Sequence, residues 1–187
     1  MHEEVKSIVA GKYTLVARFH QGVNQGALWA DGKVMESVQG STLDVAWTQV
    51  CARLYAHLSA QATQRGGLPP SAEEARRAFL NIGARLTPGH KAMLRAHLLA
   101  PQHQITARSL AQAAGYAGYS AANLQYGLLG AMLYAEMPEP LPLRVDGTPV
   151  MTCMIGHGQD QRTAPEAEWI WTMRTHIVDG LRTSGIV

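Results

Sequence analysis

The chain has 187 residues, 47% of them apolar and 16% charged, with a formal net charge of +2. That balance excludes a disordered polyelectrolyte, and no apolar run approaches the roughly 18 residues that a membrane span needs. The start of the chain lacks a basic stretch followed by an apolar core, and the two cysteines, Cys51 and Cys153, lie far apart. A cytoplasmic protein with small, unpaired thiols is expected.

In chain order, Tyr13–His20 alternates as a half-buried strand does. Gly26–Ala30 and Lys33–Val38 flank Asp31-Gly32, the dipeptide that supplies the positive φ angles of a tight hairpin turn. A helix then begins, with Ser41 as its expected N-cap. Leu43, Trp47, Val50, Leu54 and Leu58 recur at helical spacing and would cover the sheet. Antiparallel strands under one helix make a small α+β unit over residues 1–64. Residues 65–85 are expected to be a linker and a connecting helix. Gly66-Gly67 and Pro69-Pro70 break regular structure, and Glu73 and Glu74 open a helix whose inward stripe is Ala75, Phe79 and Ile82.

Residues 86–187 have a sharper grammar. Thr87-Pro88 is an N-cap with proline at the first helical position, and this helix stops before Pro101. Thr106 caps the next helix, which carries Leu110 and Ala114 and ends at Gly115. Ser120 is the expected cap of a third, uncharged helix carrying Leu124, Leu128, Leu129 and Met132. Gly127 and Gly130 lie three apart in it, so something approaches that face closely. Pro138, Pro140 and Pro142 end the helical region. Two strand-like runs follow, Pro149–Ile155 and Trp169–Met173, separated by a polar loop, and a last helix spans about Arg174 to Arg182. Three helices and then a hairpin is the order of a winged helix-turn-helix, with the hairpin loop as the wing. The fold class expected for the whole chain is therefore α+β: a small antiparallel sheet with a covering helix, then a winged helix-turn-helix domain.

Charge is unevenly placed. Residues 81–135 hold four basic residues and no acidic one, whereas residues 136–187 hold four basic against seven acidic. A local positive segment is what a polyanionic partner requires.

Leu86-Thr-Pro-Gly-His90, Thr106–Tyr116, Asn123-Leu-Gln-Tyr-Gly-Leu-Leu-Gly130 and Trp169–Arg174 together resemble a module that accompanies bacterial HNH-type, modified-cytosine restriction proteins. The resemblance covers roughly residues 84–187 and implies a DNA-related or defence-related role. It does not imply cleavage, because the eight histidines form no HNH signature.

Base edges are read by polar side chains near the start of a groove-bound helix. Ser120, Asn123, Tyr119 and Tyr126 are the candidates here, and asparagine can bond adenine at two points. Arg108, Arg95 and Lys91 on the neighbouring helices and Arg162 on the wing are candidates for phosphate, contacts that position without specifying sequence. Tyr116, Tyr119, Tyr126 and Tyr134 either pack with their hydroxyls reaching water or offer rings to an extruded base. His90 and His97 share a helix face and are expected at the surface. Trp169 and Trp171 alternate on one strand and are expected to cover the core. Cys153 and His157 are half a zinc spacing with no second half, and no nucleophile has a base beside it. No metal, cofactor or catalytic activity is expected.

The expected function is non-catalytic binding of duplex DNA, with modified-base duplex included, in transcriptional regulation or phage defence. The N-terminal unit would mediate homodimer formation or hold a second ligand. The alternative is an anti-defence (anti-CRISPR-like) or adaptor protein that binds a protein partner from a defence or restriction system through the same surface. The low charge of Gly115–Gly130 favours that alternative.

Overall fold

A computed structural model describes residues 4–145, 147–159 and 169–187. The chain divides into two compact units, Met1–Gly67 and Leu68–Val187.

The first unit is a four-stranded antiparallel meander with one helix. Its strands are β1 (Val5–Ala10), β2 (Tyr13–His20), β3 (Val23–Ala30) and β4 (Lys33–Gly40), paired in that order. Asp31 and Gly32 take φ angles of 50° and 75°, the two positive values that the tight turn requires. β1 was not expected from the sequence. It is an edge strand, and its ladder to β2, Val5↔Arg18 through Ala10↔Tyr13, holds it where its own alternation is weak. The helix α1 (Leu43–Gln64) is capped by Thr42, whose hydroxyl accepts from Val45 N at 3.2 Å, one residue later than the expected Ser41. It buries Ala46, Val50, Leu54, Leu58 and Ala62 against Tyr13, Leu15, Ala17 and Leu28. Leu43 and Trp47, expected inward, are only half-buried. Gly26 lets this helix come close: a Cβ there would stand 2.8 Å from Ala46 O.

The second unit begins with α2 (Ala72–Ile82). Ser71 and Glu74 form a reciprocal capping box at its start. This helix was expected to connect two domains. It instead packs along the last helix and buries Ala75, Ala78, Phe79 and Ile82. There follow α3 (Pro88–Leu99), β5 (Gln104–Thr106), α4 (Ala107–Ala114), α5 (Tyr119–Glu136), β6 (Gly156–Gln159), β7 (Ile170–Met173) and α6 (Thr175–Ser184). The three short strands form an antiparallel sheet in the order β5-β7-β6.

Two corrections arise here. β5 lies between the first two helices of the expected triad, where three residues are too few to show a period. Pro149–Ile155, expected as a strand, contains a 3-10 turn over Met151–Met154, and the strand starts only at Gly156. The backbone of Met151 is pressed against α5, and a Cβ on Gly130 would lie 2.0 Å from Met151 O. The close approach expected at the two glycines is therefore real at Gly130. At Gly127 the nearest atom, Thr152 Cγ2, is an ordinary 3.9 Å away.

Both units together are α+β, with a four-stranded antiparallel sheet and six α-helices among the described residues. No helix among those residues is long and apolar enough to cross a membrane.

Candidate nucleic-acid interface

The α4–α5 pair is set by its ends. Thr106 Oγ1 accepts from Ser109 N at 3.1 Å and starts α4. Gly115, at φ 70°, ends it in the left-handed region, with Tyr116 N donating to Ala111 O at 2.9 Å. Gly118 is the N-cap of α5, and no side chain caps this helix. Ser120 is therefore not the cap: it lies inside the first turn, exposed, and its hydroxyl makes no hydrogen bond among the described residues.

α5 then divides its candidates. Tyr119, Ser120 and Asn123 are exposed on its first turns, beside the exposed Leu124 and Leu128. The helix buries Ala122, Tyr126, Leu129, Gly130 and Leu133. Tyr126 is 1% exposed, so the expectation that it touches DNA is wrong. Tyr119, Asn123 and Tyr126 share a face by helical spacing, and position along the helix separates them: the first turns are exposed, whereas the rest of the unit covers that face by position 126.

The Tyr126 hydroxyl is spoken for by His97, which is itself fully buried. His97 Nε2 lies 3.0 Å from Trp171 O. A carbonyl only accepts, so Nε2 carries the proton, Nδ1 is the acceptor, and Tyr126 donates to it. Burial pushes the His97 pKa down to about 4, so the ring is neutral at pH 7. Burial likewise pushes the Tyr126 phenol well above its usual range. The chain Tyr126–His97–Trp171 thus ties α5 to α3 and β7 with every polar atom partnered.

His90 is also buried, at 4% exposure. Thr87 N donates to its Nδ1 at 3.4 Å, and its Nε2 then donates to Gln125 Oε1 at 3.1 Å. Its pKa is lowered, chiefly by burial. The expectation of two surface histidines is corrected. Their shared face is the inward one, and each ring finds partners that span elements far apart in sequence.

The expected phosphate contacts separate. Arg108 is exposed in the first turn of α4. Lys91 and Arg95 are exposed on α3, one turn apart, without an ion pair among the described residues. They flank a groove of about 620 Å³ lined by Ala92, Ala96, Leu99, Ala113 and Ile186, with no residue of α5 in its wall. Arg162 lies outside the described residues, as does most of the polar loop that contains it.

Sequence reasoning missed one buried charge. Glu139 is 2% exposed between two prolines, and Arg174 Nη2 donates to its Oε2 at 2.6 Å. Arg174 Nη1 also donates to Cys153 O at 3.0 Å, and His176 Nε2 stands 3.8 Å from Glu139 Oε1. This cluster fastens the proline segment to the start of α6. The only advance signal is a lone glutamate among prolines and apolar residues.

Trp171 is buried and Trp169 partly exposed, with ring centroids 5.8 Å apart, so they share a face as expected. Both cysteines are half-buried free thiols whose pKa burial raises. No group of three or more metal-ligating side chains occurs among the described residues.

Comparisons with models of protein families, with curated proteins and with solved structures found no significant match to this chain.

Proposed function

We propose that residues 86–187 are a winged helix-turn-helix that binds duplex DNA without catalysis, with α5 as the groove helix. The observation that carries this reading is the exposed start of α5. Tyr119, Ser120 and Asn123 stand there with their polar groups outward, directly after the glycine-ended α4. Hydroxyl and amide groups at a helix N-terminus are the chemistry of base-edge contact.

Two further features support it. The order α3-β5-α4-α5-β6-β7, with the last strand central in β5-β7-β6, is that of a winged helix. Residues 81–135 carry no carboxylate to repel phosphate. Arg108 at the start of α4 is the first phosphate contact, and Lys91 and Arg95 add charge from α3. The proposal covers duplexes with unmodified and with modified bases, in a setting of transcriptional regulation or phage defence. The test is fluorescence anisotropy with short duplexes, unmodified and carrying modified cytosine, across a salt series. With the wing's Arg162 as the fourth, about four phosphate contacts give a log–log slope of affinity against salt of about −3 to −4.

A second reading has its own observation. Leu124 and Leu128 are 63% and 49% exposed one turn apart on α5, and the helix has no basic residue. An apolar, uncharged helix face suits a protein partner, such as a component of a defence or restriction system. Binding through that face would change little with salt.

A further inference from the structure

The sheet of the first unit has two faces, and only one is covered by α1. Strand alternation sends Tyr13, Leu15, Ala17 and Leu28 under the helix. The opposite face carries Thr14, Val16 and Arg18 from β2, Gln25, Ala27 and Trp29 from β3, and Ser37 from β4. These residues line a hollow of about 410 Å³, within the range of small-molecule sites.

The pairing register fixes the layout of this hollow. Thr14 lies opposite Trp29, Val16 opposite Ala27, and Arg18 opposite Gln25. Ala27 is also opposite Ser37. The centre of the floor is therefore small and apolar. The indole of Trp29 stands at one end. Arg18 and Gln25 stand at the other, their Cα atoms roughly 13 Å along the strand by ordinary strand rise, a backbone span that long side chains can shorten. Arg18 makes no ion pair among the described residues, and no carboxylate lines the hollow. Gln25 offers both a donor and an acceptor, and Thr14 and Ser37 add hydroxyls.

From this layout we infer that the open sheet face of the first unit binds a nucleoside monophosphate, either free or as one unit of a single strand. The base stacks on Trp29 over Ala27, and the phosphate meets Arg18 and Gln25. An aromatic ring and a cation carried on a long side chain at opposite ends of one apolar floor suit a ligand with a flat ring at one end and an anion at the other. The site is separate from the duplex surface proposed for α5 and rests on none of its residues.

The experiment is calorimetric titration of the full chain with adenosine and cytidine monophosphates, adenosine, ribose 5-phosphate and a ten-nucleotide single strand. The monophosphates are expected to bind at least tenfold more tightly than either adenosine or ribose 5-phosphate, since each half-ligand loses one end of the site. Arg18→Gln, an exposed substitution, should abolish the preference for monophosphate over nucleoside. Trp29→Leu should abolish the preference for monophosphate over ribose phosphate. Circular dichroism on both variants confirms the fold. A single strand that binds more tightly than the monophosphates identifies the polymer as the source; equal or weaker binding identifies the free nucleotide. Absence of monophosphate binding at millimolar concentration, or preferences unchanged in Arg18→Gln, would overturn the inference. Duplex binding sensitive to Arg108→Ala would stand or fall independently.

Discussion

Removal of the His97 imidazole gives the sharpest test of how the second unit is held. The ring is fully buried, hydrogen-bonded by Tyr126 and Trp171, and neutral because burial pushes its pKa from 6.5 to about 4. In the unfolded chain the same ring protonates near its ordinary value. Between those two values the unfolded state binds more protons, so stability falls as the pH falls. The contribution is fully present above the unfolded pKa and is lost as the pH drops toward 4. For this one group the loss between pH 7 and pH 5 is about 2 kcal/mol. His97→Gln removes the titration but keeps a polar side chain. The assay is urea unfolding of both proteins at pH 7, 6 and 5. The wild type should be the more stable at pH 7, and its advantage should shrink by ~2 kcal/mol at pH 5. His90 and the carboxylates titrate equally in both proteins and cancel in the difference. A difference that stays constant with pH would refute the assignment of His97 as a buried neutral ring.

The two glycines of α5 should respond in opposite directions. Gly130→Ala drives a Cβ into the Met151 carbonyl and should cost at least about 2 kcal/mol in denaturant unfolding. Gly127→Ala meets only Thr152 Cγ2 at contact distance and should stabilise by up to about 1 kcal/mol through helix propensity. Glu139→Gln leaves Arg174 without its anion. Because Arg174 is partly exposed, a loss of roughly 2–3 kcal/mol is expected, below the range for a fully buried pair. Equal unfolding midpoints for Glu139→Gln and wild type would contradict the role assigned to that cluster.

Much of the element order was legible because each boundary has local chemistry. Thr87 and Thr106 cap through their own hydroxyls, and Pro88, Gly115 and Asp31-Gly32 act through their own backbones; all do so in the structure. β1 and β5 were hidden for the opposite reason: both exist through ladders to partners elsewhere in the chain. The 3-10 turn at Met151–Met154 was hidden because its backbone packs against Gly130, a contact that no local period encodes. The candidate site was legible in composition and less so in orientation. Ser120, Asn123 and Tyr119 lie outward on one helix, whereas Tyr126 and both histidines lie inward. A polar atom says what a side chain needs, not whether water or a neighbour supplies it. Tyr126, His97 and His90 are each satisfied by partners 29 to 74 residues away.

The measurement that bears most directly on duplex DNA binding is anisotropy of labelled duplexes, unmodified and carrying modified cytosine, at a series of salt concentrations. It would be made with wild type, Asn123→Ala and Arg108→Ala. The proposal predicts affinity falling with a log–log slope of about −3 to −4, and a slope shallower by about 1 in Arg108→Ala. It further predicts that Asn123→Ala relaxes the preference among duplexes by about 1–3 kcal/mol, with the salt slope unchanged. No binding to any duplex at low salt would contradict it and leave the exposed Leu124–Leu128 face of α5 as a surface for a protein partner.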